Sequence, residues 1–240
     1  MGDFFSLASA RGRKKSVADQ AAAIQMSHIA FDWDGTIAKK EVAEEASLRR
    51  CKTLDIKMTS EKMREMQKTH AHWDVNRERI QEYTGIKDAR TQTIIMTNLF
   101  QLHYVGVVNE WKDKIFYPGM KEAVEKLKKA GHTLSIITTL RTDIIEPALE
   151  ILKMRNIFGK VYGNTPDLIY SKEQLVEQAL TDCGEIHLVV GDREDDLMAG
   201  RAAKAKTAFA EWGHGELKDK KLADAILKRP EDILNFAKSL

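Results

Sequence analysis

The run Ile29-Ala30-Phe31-Asp32-Trp33-Asp34-Gly35-Thr36 constrains this chain more than any other. An apolar stretch delivers two carboxylates two residues apart, then a glycine and a threonine. In an extended chain, side chains at i and i+2 share a face. Asp32 and Asp34 are therefore expected to point together and Trp33 to point away from them. Acids held that close repel unless a cation or a proton lies between them. Gly35 allows a sharp turn that a side chain would resist. Open α/β sheets carry their ligands at the carboxyl ends of buried strands, so the pattern predicts a central strand with acids at its exit.

Three further segments share that design. Thr133 to Thr139 is an apolar strand ending in two hydroxyls, Thr138 and Thr139. Lys172 opens a helical stretch running to Leu180. Ile186 to Val190 is another apolar strand, and it exits into Gly191-Asp192-Arg193-Glu194-Asp195-Asp196. Asp196 falls one helical turn after Asp192 and so beside it, whereas Glu194 and Asp195 are expected to face solvent or cap the next helix. Helices are predicted over 121–130, closed by Gly131, and over 144–154 and 199–205. A short strand is expected at 160–162 and the last strand at 207–210. Alternation of this kind implies a parallel, doubly wound α/β sheet.

The stretch from Lys39 to about Phe116 breaks the alternation. It lacks period-two patterning and reads as three helices, at 41–54, from Thr59 or Ser60 to 83, and over 88–111. Their apolar stripes fit packing better than ligand binding.

Composition narrows the classes. A formal net charge of +2 over 240 residues gives no support for nucleic-acid binding. No apolar run reaches the length of a membrane span, so no stable membrane association is expected. Cys51 and Cys183 stand far apart without ligand or redox spacing, which suits the reducing cytoplasm. In residues 1–25 the basic cluster follows Phe4, Phe5 and Leu7, the reverse of a secretory signal. Met1-Gly2-Asp3-Phe4-Phe5-Ser6 formally fits the myristoylation pattern, with the acidic Asp3 against it. These residues are expected to form a flexible extension dispensable for catalysis, with Met26 as a natural start.

In chain order the acid pair, the hydroxyl, the lysine and the acid cluster resemble the four signature positions of the haloacid dehalogenase-like superfamily of phosphohydrolases. The resemblance covers residues 26–240 and is greatest to its phosphoglycolate phosphatase-like group, including the loop Trp212-Gly213-His214-Gly215. It implies a Rossmann-like core at 26–38 and 116–240 with an inserted helical cap at 39–115. It further implies an enzyme that hydrolyses a small phosphorylated metabolite, phosphoglycolate-like or a sugar phosphate, through an aspartyl-phosphate.

By that resemblance Asp32 is the nucleophile, Asp34 the general acid and base, and Lys172 the stabilising cation. Thr138 and Thr139 fall at the phosphate-binding positions. Mg²⁺ would be held by Asp32 and Asp192, the main-chain carbonyl of Asp34, and Asp196. The sequence departs from close relatives after Lys172, where Glu173-Gln174-Leu175 replaces a proline-rich turn; Lys160 is the fallback cation. An acid at position 34 favours phosphate esters over carbon–halogen or phosphonate chemistry, because an alkoxide leaving group needs a proton. A phosphomutase or phosphotransferase, or a non-catalytic receiver-like binding protein, is the alternative. In the cap, Lys39, Lys40, Arg49, Arg50 and His70 are candidates to meet a substrate anion, as is Arg141 in the core. A monomer or homodimer is expected.

Overall fold

Continuous burial of the central strands sets the architecture. The computed structural model describes residues 26–68, 71–216 and 219–240. Strand β1 (His28–Phe31) is buried throughout. Ile29 and Phe31 belong to one hydrophobic cluster and Ala30 to another. A strand buried on both faces belongs inside a parallel sheet with helices on either side.

Around it lie β2 (Thr133–Arg141), β3 (Lys160–Asn164), β4 (Leu188–Gly191), β5 (Lys206–Ala210) and β6 (Ala225–Leu227), in the order β3-β2-β1-β4-β5-β6. Every pairing is parallel. Helices α5 (Met120–Lys129), α6 (Thr142–Ile151) and α9 (Asp232–Ala237) cover the face of Ile29 and Phe31. Helices α7 (Lys172–Cys183) and α8 (Glu194–Ala202) cover the face of Ala30.

Among the described residues, four α-helices form an insertion after β1 and ahead of α5: α1 (Lys40–Thr53), α2 (Ser60–Lys68), α3 (Ala71–Thr84) and α4 (Ala89–Trp111). They hold a small core of their own in Leu54, Ile80 and Met96. Tyr104, Val107 and Val108 of α4 and Val42 and Ala46 of α1 join the main core instead. One side of the insertion thereby packs against the sheet.

Three local expectations are corrected. The helix predicted from 59 or 60 to 83 is two, α2 ending at Lys68 and α3 beginning at Ala71. Helix α8 starts at Glu194 rather than 199: its three acids sit in the first turn, where the helix dipole favours them. The sheet also continues past β5, because three-residue β6 is too short to show periodicity. Asp224 anchors it by accepting the Thr207 N–H at 2.8 Å. The extension at 1–25 and His70 lie outside the described residues.

The amino edge of the sheet carries a histidine cluster. The main-chain N–H groups of Ser27 and His28 donate to the Nδ1 atoms of His132 (3.2 Å) and His187 (3.1 Å). The His28 ring spans the Glu185 carbonyl at 3.0 Å and the Ser135 hydroxyl at 2.8 Å. Since a carbonyl only accepts, His28 Nδ1 carries the proton and Nε2 accepts from Ser135. Burial holds the pKa of His28 and of His132 below 6.5.

Candidate active site

The winding direction reverses at β1, where β2 and β3 extend to one side and β4, β5 and β6 to the other. Ligands of open α/β sheets lie outside the strand ends at such a reversal. Asp32 and Asp192 leave β1 and β4 there, and the Asp32 N–H still donates to Val190 O at 2.9 Å. Gly35 turns the chain with φ of +89°, and a Cβ on it would run into the Asp192 carboxylate and the His214 ring. Glycine is required twice at that position.

Lys172 lies at the bottom of the site. Ser171 caps α7, with its side chain accepting from Gln174 N and the Gln174 side chain reaching back, a reciprocal arrangement that fixes the first turn. Lys172 Nζ donates to Asp32 Oδ1 (2.6 Å), Asp196 Oδ1 (2.7 Å) and Ile137 O (3.0 Å). All three ammonium protons are thus used. Lys160, the fallback, lies on β3 and pairs with Asp182 away from the site. Asp196 Oδ2 accepts the Arg193 N–H at 3.1 Å. Asp192 accepts from the Thr36 hydroxyl at 3.3 Å and from His214 N–H at 2.5 Å. The other oxygen of Asp32 has no hydrogen bond among the described residues.

Asp32, Asp192 and Asp196 are all buried, and each offers a carboxylate oxygen within 4.8 Å of the others. With Asp34 added, four carboxylates face a single ammonium. Burial first, and mutual repulsion after it, raise Asp32, Asp34 and Asp192 to about 6 and Asp196 to about 7. Lys172 and two hydrogen-bond donors, the Tyr104 hydroxyl and the His214 N–H, pull the other way without restoring ordinary values. Burial alone would lower the Lys172 pKa, but Asp196 and Asp32 reverse that and the net shift is upward. An all-oxygen donor set with excess negative charge fits a hard divalent cation such as Mg²⁺. The Asp34 side chain stands outside this group.

Asp34 is held from the insertion. The Tyr104 hydroxyl on α4 donates to Asp34 Oδ1 at 2.8 Å and accepts the Trp33 indole N–H at 2.7 Å. Tyr104 is fully buried. The expectation that Trp33 points away from the acids is corrected here. β1 ends at Phe31, so strand alternation no longer applies, and Trp33 and Asp34 converge on one hydroxyl.

Thr138 is buried in the carboxyl half of β2, beside the strand that leads to Asp32, and its hydroxyl accepts the Leu140 N–H at 3.2 Å. Thr139 is exposed, and its carbonyl accepts from the Asn164 amide at 2.6 Å. Arg141 is committed elsewhere, to Asp143, Asn98, Thr97 and Gln101. Glu194 and Asp195 face solvent. The loop after β5 closes the Asp192 side of the site. Trp212 Nε1 donates to Thr36 O at 3.0 Å, and Gly213 and Gly215 allow the loop backbone to pack on Asp192.

Comparison with known proteins gives the family and the fold. The family profile of the haloacid dehalogenase-like hydrolases matches residues 29–210, and the chain belongs to that family. A phosphoglycolate phosphatase from Aquifex aeolicus is 30% identical over 130 residues, 50% of this chain and 58% of the relative. The pyrophosphatase PpaX from Bacillus cereus is 31% identical over 125 residues, 49% of this chain and 57% of the relative. The chain thus spans less than two thirds of the length of these curated relatives. The crystal structure of CbbY from Rhodobacter sphaeroides in complex with phosphate has a TM-score of 0.65 at 18% identity, covering 90% of this chain and 100% of that one. At that identity the likeness shows the fold.

Proposed function

We propose that this chain is a Mg²⁺-dependent phosphatase of a small phosphorylated metabolite, of the phosphoglycolate or sugar-phosphate kind, acting through an aspartyl-phosphate on Asp32. One observation carries the reading. Asp32 is buried at the sheet's reversal point with one oxygen fixed by Lys172 and the other unengaged, as an oriented nucleophile requires.

The unengaged Asp32 oxygen attacks phosphorus, and the ester P–O bond breaks as the new O–P bond forms. Asp34 gives its proton to the departing alkoxide and takes one from the water that then cleaves the aspartyl-phosphate. A carboxyl raised to about 6 suits both roles near neutral pH. Lys172 orients Asp32 and offsets charge on it, and Thr138 and Thr139 hold phosphoryl oxygens. Asp32, Asp192, Asp196 and the Asp34 carbonyl would hold Mg²⁺, which would neutralise the repulsion between acid and phosphate and polarise the phosphoryl oxygen. Residues 26–38 and 116–240 act as the catalytic core, and 39–115 as a cap that excludes water.

No helix among the described residues is long and apolar enough to cross a membrane. Cys51 and Cys183 are free, in keeping with a cytoplasmic setting.

Asp32→Asn should reduce p-nitrophenyl phosphate hydrolysis by at least ~10³-fold while circular dichroism and melting stay those of the parent. Chelation should stop the parent's turnover, and Mg²⁺ should raise its melting temperature. Undiminished turnover by Asp32→Asn would refute the nucleophile, and turnover surviving chelation would refute the metal.

A further inference from the structure

A cavity of about 390 Å³ lies between the inserted helices and the ends of β2 and β3. It borders the acid site at Thr139, next to Thr138. Its walls are mostly apolar, with Trp73, Phe100, Leu140 and Ile144 among them. From α1 it receives Ala43, Ser47 and Arg50, spaced i, i+4 and i+7 on one helix face.

Arg50 is the exception in that wall. It is only 4% exposed, and its Nε–H is buried without a hydrogen-bond partner. No carboxylate among the described residues pairs with it. Its guanidinium lies 5.7 Å from the centre of the Phe100 ring, a cation–π contact that only partly compensates a buried charge. The neighbouring cations are occupied or remote. Arg49 is paired with Glu45 and Glu110, Lys39 donates to the Lys114 carbonyl, Arg141 is held by Asp143, and Lys40 is exposed to solvent.

A guanidinium remains charged in any protein environment, and a buried charge without a counter-ion destabilises the fold that keeps it. Its planar fork matches the two oxygens of a carboxylate or a phosphate. We propose that Arg50 receives a second anionic group of the substrate, so that the phosphate esters this protein favours carry a carboxylate or a further phosphate remote from the reacting one. The inference rests on the phosphatase reading and deepens it: the acid site takes the reacting phosphoryl group, and Arg50 chooses what is attached.

The test compares kcat/KM for 2-phosphoglycolate and for fructose 1,6-bisphosphate with that for ethyl phosphate, which has no second anion. The parent should prefer at least one of the first two. Arg50→Met should lower that preference by about 30-fold or more, the loss expected when one partner of a buried charge pair is removed. Arg50→Lys should keep part of it, and Arg49→Met should leave it intact. Without substrate, Arg50→Met should melt no lower than the parent, because removing an unpaired buried charge relieves the fold; a structural arginine would give the opposite. Should Arg50→Met fail to fold, Arg50→Lys carries the kinetic comparison.

The outcomes separate the two readings. Hydrolysis of p-nitrophenyl phosphate by the parent, with no preference for a second anion or with a preference that survives Arg50→Met, overturns this inference alone. If the parent hydrolyses no phosphate ester, both readings fall. The two doubly anionic substrates distinguish carboxylate from phosphate as the group received.

Discussion

The two ends of one sheet solve opposite electrostatic problems. At the amino edge, the rings of His28, His132 and His187 accept main-chain or hydroxyl protons, and the cluster is satisfied from within. At the carboxyl edge, four acids share one ammonium and their pKa values rise to about 6 and about 7. The strands between are the same, buried and apolar. What differs is that the first cluster is complete as it stands, whereas the second is left short of positive charge. Structure held for its own sake tends to satisfy its polar groups, and structure held for chemistry keeps some of them wanting a partner.

The largest expected effect breaks the carboxyl edge. Lys172→Met removes the ammonium that the acids share and should lower stability by about 3–5 kcal/mol, read by urea unfolding at pH 7. A variant as stable as the parent would mean the acids are already protonated there, and the contrast with the amino edge would vanish.

Tyr104→Phe is milder and sharpens the comparison. It removes the hydroxyl that orients Asp34, and should reduce kcat/KM for an alkyl phosphate by about 10-fold. p-Nitrophenyl phosphate, whose leaving group scarcely needs a proton, should lose less. Equal losses on both substrates would point to simple loosening of α4.

The smallest effect is a pH profile of stability, measured in chelator. His28 and His132 titrate below their ordinary 6.5 in the folded chain. The unfolded chain therefore takes up protons first as pH falls, and the amino edge loses stability from pH 6.5 downward. Asp34, Asp192 and Asp196 titrate above 3.8, at about 6 to about 7. The folded chain holds those protons longer, and the carboxyl edge loses stability as pH rises from about 4 through 7. The two trends oppose each other between about pH 4 and 6.5, whereas above 6.5 the acids act alone. Melting temperature should therefore fall as pH rises from 6.5 to about 7, and excess Mg²⁺ should abolish that fall. A fall that Mg²⁺ leaves unchanged would detach it from the carboxyl edge.

Much of this was legible in the residues because the relevant signals are local. Asp32 and Asp192 each follow an apolar run, and the β-strands and the doubly wound order follow from those runs alternating with amphipathic helices. Lys172 was legible by its place at the start of a helix, although its neighbours differ from those of relatives. Tyr104 was not, since one tyrosine in a long helical stripe looks like any packing residue, and its partner is 70 positions away. His214 escaped for a different reason: it contributes a main-chain N–H, which any residue but proline supplies, and the flanking glycines were the only trace. Arg50 was one of five equivalent cations until burial and the lack of a partner set it apart from the ion-paired Arg49.

The hydroxyl steadying Asp34 belongs to α4, whereas Lys172, which steadies Asp32, belongs to the sheet's own helices. Any swing of the insertion away from the sheet would therefore carry off the brace on the proton donor and leave the nucleophile anchored. An open molecule would be loaded but unarmed: able to admit an ester or release inorganic phosphate, yet slow to let stray water strip a phosphoryl group already captured.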